Sequence, residues 1–192
     1  YARTRQVPYL GLCLGMQVMV VEYARSELGL TGAHSSEFDP DSKDPVIAYL
    51  PGQEDLLETG GTMRLGIYPC KLRRETVAAK AYGKDLVDER HRHRYELNND
   101  YRPRLEEAGL IASGVSPDGS LVEISEVMGH PFMVGSQFHP EFLSRPDRPH
   151  PLFREFIKVA RETIREGGQP LLQLGDETLV RPEPVNIASD NG

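Results

Sequence analysis

A single cysteine between two glycines, directly after an apolar run, constrains this fold more than any other feature of the chain. In Gly11-Leu12-Cys13-Leu14-Gly15-Met16-Gln17, the preceding Val7, Tyr9, Leu10 and Leu12 read as a short buried strand. Leu14 to Arg25 reads as a helix. A thiol at such a corner projects from the strand's end. It meets the unpaired N–H groups and positive dipole end of the helix, which favour a thiolate. The flanking glycines permit a tight turn and leave room for a substrate. The pattern is that of a nucleophile elbow. A cysteine in apolar surroundings is by itself more often a core residue, so the reading needs a partner.

The partner lies far down the chain, in Gly135-Ser136-Gln137-Phe138-His139-Pro140-Glu141. Phe132, Met133 and Val134 read as another buried strand, and at its end come a histidine and a carboxylate two residues apart. A nucleophilic thiol needs a base to take its proton, and the base needs an acid to hold its ring. His139 and Glu141 supply both from one loop.

The net charge of −7, with no basic stripe interleaved with aromatics, argues against nucleic acid as a ligand. No apolar run is long enough to span a bilayer and no signal peptide opens the chain. Only Cys13 and Cys70 occur, which suits a reducing cytoplasm and gives no disulfide framework. No Cys/His cluster has structural-zinc spacing, and no Gly-rich phosphate loop followed by Lys and Ser/Thr occurs. The 192 residues suffice for one α/β domain. Tyr1 to Gln6 reads as the last turn of a helix, so the expectation is a fragment of a longer protein.

Along the chain, the helical pattern runs to Leu28 with Met16, Met19, Val20 and Tyr23 on one face, and Gly29 and Gly32 end it. Thr31 to Asp44 reads as a polar surface loop holding Glu37. Val46 to Leu50 is a strand, and Pro51 to Gly61 a flexible connection. Met63 to Leu72 and Thr76 to Ala81 read as paired edge strands, and Arg90 to Leu97 as an alternating strand before the turn Asn98-Asn99. His91 and His93 read as surface or interface residues there. Leu105 to Gly109 is a short helix, and Leu110 to Ser116 and Leu121 to Val127 are strands around the turn Pro117-Asp118-Gly119. Pro151 to Arg165 is an amphipathic helix, and residues 167–192 read as a disordered tail. Together these indicate a mixed α/β sheet, with Cys13 and His139 at the carboxyl ends of central strands, where open α/β sheets bind ligands.

The chain resembles the glutaminase domain of the CTP synthase family, a triad-type (class I) glutamine amidotransferase, from Tyr1 to about Glu166. Pro8 to Gln17 resembles the nucleophile segment of the whole class. Ser36 to Pro40, Gly60 to Gly66, Arg90 to Asn99, His139 to Phe142, Ser144-Arg145-Pro146 and Pro149 to Phe153 follow in the family's order. The resemblance implies an open flavodoxin-like sheet flanked by helices. It implies Cys13 as nucleophile, His139 as base and Glu141 as orienting acid in glutamine hydrolysis. It also implies glutamine binding by Leu14, Gly15, Met16, Gln17, Glu37 and Arg94, with Glu37 on the α-ammonium and Arg94 on the α-carboxylate.

The family takes a second oxyanion donor from a glycine-rich loop after an earlier strand. That segment is absent here, so the isolated chain is expected to be a poor glutaminase. No cofactor is expected in the chain itself. ATP, Mg and the effector GTP belong to the full-length family enzyme, whose synthetase domain binds UTP and ATP and which assembles as a homo-oligomer, a tetramer. The segment Gln53 to Thr59 lacks the arginine expected for GTP, which counts against a GTP response. Two other readings stay open. A different triad amidotransferase or γ-glutamyl hydrolase would share the elbow and the His-Pro-Glu loop but not Arg90 to Asn99. A truncated amidotransferase-like binding module would no longer turn over.

Overall fold

The computed structural model describes residues 1–49 and 63–163, to which every structural statement below refers. The Pro51–Gly61 connection and the 167–192 tail lie outside those residues. A one-turn helix α1 (Ala2–Arg5) closes on Gln6 in the left-handed region and feeds β1 (Tyr9–Leu12). Cys13 then caps α2 (Leu14–Glu27), whose Met16, Met19, Val20, Tyr23 and Ala24 recur at helical spacing and are all buried.

The chain continues through β2 (Ala33–Ser35), β3 (Asp44–Tyr49), β4 (Arg64–Leu72), α3 (Val77–Tyr82) and β5 (Leu86–His93). It then forms β6 (Tyr95–Leu97), α4 (Arg102–Ala108), β7 (Leu110–Val115), β8 (Val122–Val127), β9 (Met133–Ser136) and α5 (Pro151–Thr163). The main sheet runs β1-β9-β8-β7-β4-β5, with β1 and β9 parallel and its other pairs antiparallel. A small second sheet runs β2-β3-β6. Helices cover both faces. Met16, Met19 and Val20 pack with Leu105, Leu110 and Met133 in one core, while Ala78, Ala81 and Leu152 pack with Cys70, Ile124 and Phe138 in the other. Together these make a mixed α/β sheet flanked by helices.

Four expectations are corrected. Thr76–Ala81 is not a strand but the start of α3. The Thr76 hydroxyl accepts from the Ala79 N–H at 3.1 Å, and the Glu126 carboxylate accepts from the N–H groups of Val77 and Ala78 at 2.9 and 3.1 Å. Gly83 (φ 66°) closes the helix. These are an N-cap, an acidic group at the positive end, and a left-handed C-cap, around a helix-favouring alanine run. The strand that β4 does pair with is β5, Arg64 opposite His93 through Lys71 opposite Leu86.

The polar 31–44 stretch contains β2, with Ala33 and Ser35 buried. The Arg90–Leu97 strand is two strands in different sheets, broken at Arg94. Finally, β1 is at the edge of the described sheet rather than at its centre, with β9 beside it.

Candidate active site

Cys13 and His139 are brought together by strand pairing. Leu12 lies opposite Ser136 in the parallel β1–β9 register, and the Cys13 N–H donates to the Ser136 carbonyl at 2.7 Å. The sheet also curls until its two edges meet. Although β1 and β5 are opposite ends of the strand order, the Cys13 sulfur lies 4.0 Å from the Arg92 carbonyl oxygen of β5. The His139 N–H donates to the Arg90 carbonyl, two residues earlier on β5, at 2.8 Å. Thiol and imidazole segments are thus both seated on one strand.

The tight turn is made by the cysteine itself, in the left-handed half of backbone space: Cys13 has φ 49° and ψ −104°. Such a backbone costs on the order of 1–3 kcal/mol and persists only where its surroundings over-determine it. Gly11 supplies close approach instead, since an added Cβ would meet the Gly15 carbonyl carbon at 2.6 Å.

Burial raises the Cys13 thiol above its ordinary value, a hydrogen bond from the Leu14 N–H opposes this, and the charges of Glu141, Glu37 and Glu96 add to the rise. Contrary to the expectation from the helix dipole, the resting sulfur is therefore held towards the neutral thiol, and ionisation needs a base. His139 Nδ1 donates to Glu141 Oε1 at 2.7 Å, and its Nε2 is buried with no hydrogen-bond partner. That leaves one ring nitrogen oriented and the other available for proton transfer.

The other expected residues fall into two groups. Leu14 is exposed at the head of α2, and Gly15 accepts the Tyr9 hydroxyl on its carbonyl at 2.8 Å. Met16 is fully buried in the core, so only its backbone faces the corner. Gln17 is also buried, one turn below the thiol. Its side-chain nitrogen donates to the Tyr95 carbonyl at 3.2 Å and to Gln137 Oε1 at 3.3 Å, and the Gln137 nitrogen lies 3.7 Å from the Cys13 sulfur. Glu37 and Arg94 are both exposed, Glu37 just past β2 and Arg94 at the bend between β5 and β6.

The glutamine amidotransferase class-I family model matches residues 1–159. The chain belongs to this family. Within it, the chain is similar to CTP synthases. It is 65% identical over 174 residues to one from Dehalococcoides mccartyi, covering 91% of this chain and 32% of that protein. It is 54% identical over 189 residues to one from Prochlorococcus marinus, covering 98% and 33%. The chain thus spans about a third of the length of the curated relatives it matches. Among solved structures, the Trypanosoma brucei CTPS glutaminase domain with bound acivicin superposes with a TM-score of 0.80 at 36% identity, over 85% of this chain and 64% of that one. Within the class-I amidotransferases the chain is therefore similar to the glutaminase portion of CTP synthases.

Sequence reasoning missed what lies under this amidotransferase corner. His91 and His93 are not on a hydrated face; they are 1% and 5% exposed. With Arg64, Glu96 and Glu123 they close a ring. Arg64 meets Glu123 at 2.7 Å and Glu96 at 3.5 Å, His93 Nδ1 meets Glu96 at 3.4 Å, His91 and His93 share a 2.8 Å hydrogen bond, and His91 Nε2 meets Glu123 at 3.6 Å. The alternation His-Arg-His-Arg was the available signal: in a strand it sends both imidazoles to one face.

Burial, reinforced by the Arg64 charge, lowers His91 to about 2 and His93 to about 3. Burial also raises Glu123, and raises Glu96 well above the usual carboxyl range. The imidazoles contribute stability that is complete above about pH 6.5 and lost as pH falls, because the unfolded chain then binds protons that the folded one refuses. The two carboxyls act oppositely: their contribution is complete below about pH 4.5 and lost as pH rises through their folded values. Between about pH 6.5 and 4.5 the two slopes oppose, and below about 4.5 only the imidazole slope remains. Thermal melts are expected to show a shallower dependence on pH across that window than beneath it. A steady decline beginning at pH 6.5 would show that the carboxyls are not held protonated.

Proposed function

We propose that this chain is the glutamine-hydrolysing part of a CTP synthase, formed by residues 1–166, releasing ammonia for the ATP-dependent amination of UTP in pyrimidine nucleotide synthesis. The observation that carries the reading is the seating of the Cys13 and His139 segments on the Arg92 and Arg90 carbonyls of β5, with His139 Nε2 unpartnered and Nδ1 held by Glu141.

The chemistry follows from that arrangement. His139 Nε2 takes the Cys13 proton, and the sulfur attacks the side-chain amide carbon of glutamine. The negative charge that develops on the amide oxygen meets the Leu14 N–H at the head of α2. The imidazolium, steadied by Glu141, returns its proton to the amide nitrogen as the C–N bond breaks, and ammonia leaves a γ-glutamyl thioester. Water, deprotonated by the same imidazole, then releases glutamate and restores the thiol.

Glutamine lies along the Leu14–Gln17 backbone, its ammonium towards Glu37 and its carboxylate towards Arg94, whose fork fits two oxygens. In the full-length enzyme ATP and Mg act on a synthetase portion that receives the ammonia, GTP is its effector, and the assembly is a homo-oligomer. Two free cysteines, one of them the nucleophile, suit the reducing cytoplasm.

The test is nitrogen transfer. The full-length protein given UTP, ATP, Mg and glutamine should form CTP with one glutamate per CTP. Glutamine hydrolysis without CTP would favour another amidotransferase, cleavage of γ-glutamyl peptides a γ-glutamyl hydrolase, and no hydrolysis a binding module. Within this reading, Arg94→Ala should raise the glutamine KM by on the order of tenfold or more while kcat changes little, as loss of a charged ground-state contact does. A collapse of kcat at unchanged KM would remove Arg94 from the substrate grip.

A further inference from the structure

The buried Arg64–Glu96–His93–His91–Glu123 ring has no part in the steps above, yet it occupies five side chains from four strands and both sheets. Burying so many ionisable groups is expensive, and apolar residues of similar volume would hold a core as well or better. Several of their atoms lack a full hydrogen bond: His91 Nε2, His93 Nδ1, Glu96 Oε2 and Glu123 Oε2. Such a cluster is a poor stabiliser and a strict specifier of geometry.

What it specifies is β5. This strand is an edge of the main sheet: it pairs with a strand, β4, on one side only, and its Arg90 carbonyl is taken instead by the His139 N–H. Its inward side chains His91 and His93 belong to the ring. Its outward residues alternate with them, and their carbonyls or side chains meet the site: Arg90 through the His139 N–H, Arg92 beside the Cys13 sulfur, and Arg94 at the bend into β6. Tyr68 stands edge-on to His91 on one side, with Arg64 over its ring at 4.4 Å, and Phe138, next to His139, packs on the other. Glu96, two residues past Arg94, ties the second sheet to the same ring through Arg64.

We propose that this ring is a positioning device for the glutamine site, pinning β5 and the Arg94 bend so that the thiol, the imidazole and the carboxylate-binding guanidinium keep their mutual register. The inference rests on the glutaminase reading for its kinetic consequences but not for its structural ones.

Arg64→Met in the full-length protein should lower kcat and raise the glutamine KM, each by on the order of tenfold, since displacements of about 1 Å can cost a hundredfold. Rates are counted per Cys13 titrated with acivicin, so that a merely structural role, which lowers the melting temperature and the titratable fraction, leaves both constants at wild-type values. Glu96→Gln, which keeps size and hydrogen bonding, should stay within about threefold of wild type, and Glu96→Ala should resemble Arg64→Met.

If Arg64→Met does not fold, Arg64→Lys decides, because it keeps the charge and gives up one of the two carboxylate contacts. In parallel, amide hydrogen exchange over Arg90–Arg94 should speed up in the variant, a measurement that needs no turnover. Inactive wild-type protein would count against the glutaminase reading, with exchange still judging the ring. Wild-type kcat, KM and exchange in a folded variant would overturn the proposal.

Discussion

Cys13→Ala is expected to take glutamine hydrolysis to background, a loss on the order of 10⁴-fold or more, because the thioester route has no other nucleophile. The same change should abolish covalent labelling by diazo-oxo-norleucine or acivicin. It should spare CTP formation from free ammonia in the full-length enzyme, since that reaction bypasses the sulfur. The structure makes the separation clean. Cys13 is held at φ 49° by its neighbours, and the long contacts of its sulfur, 3.7 Å to the Gln137 amide and 4.0 Å to the Arg92 carbonyl, are too weak to hold those distant segments by themselves. Removing the sulfur therefore deletes chemistry and little packing. Cys13→Ser is the sharper version: an alcohol in the same place ionises far less readily, and the available base is one imidazole. Loss of ammonia-dependent and glutamine-dependent synthesis together would mean that Cys13 holds the fold.

The site was legible in the sequence to the extent that local pattern encodes it. A strand, a thiol and a helix with buried residues at three-to-four spacing can be read from Tyr9 to Glu27, and the pairing of Leu12 with Ser136 explains why two motifs more than a hundred residues apart meet. The local signal was misread where it competed with habit: Thr76 before an alanine run and Gly83 is a capped helix, not a strand. What could not be read was long-range. That β5 crosses to the opposite edge and touches Cys13 is a consequence of sheet curl, which no window of residues reports. The burial of His91 and His93 depends on Glu123 and Arg64 arriving from other strands, so a charged alternating segment that looks like a hydrated face becomes an interior one.

Gly11→Ala is expected to be among the most damaging single-methyl changes in the chain. The new Cβ would lie 2.6 Å from the Gly15 carbonyl carbon, 2.7 Å from its oxygen and 2.8 Å from Cε1 of Tyr9. Two of those atoms are backbone in the first turn of α2, and that carbonyl is already committed to the Tyr9 hydroxyl at 2.8 Å. Neither side can yield without moving the helix that carries Leu14, so relief of the overlap displaces the thiol itself. Overpacking of this kind costs about 1–3 kcal/mol of stability. A shift of about 1 Å at the nucleophile adds up to a hundredfold in rate. The second elbow glycine behaves differently, because a Cβ on Gly15 meets only the Tyr9 hydroxyl, at an ordinary 3.5 Å. Gly15→Ala should therefore fold normally and show its effect, if any, in glutamine affinity. Gly32→Ala, with nothing within 4 Å, should be silent in both melting temperature and rate. If Gly11→Ala melted and turned over like Gly32→Ala, β1 and α2 would have to sit farther apart than the 2.6 Å clash requires, and the tight corner that aims Cys13 at His139 would not exist.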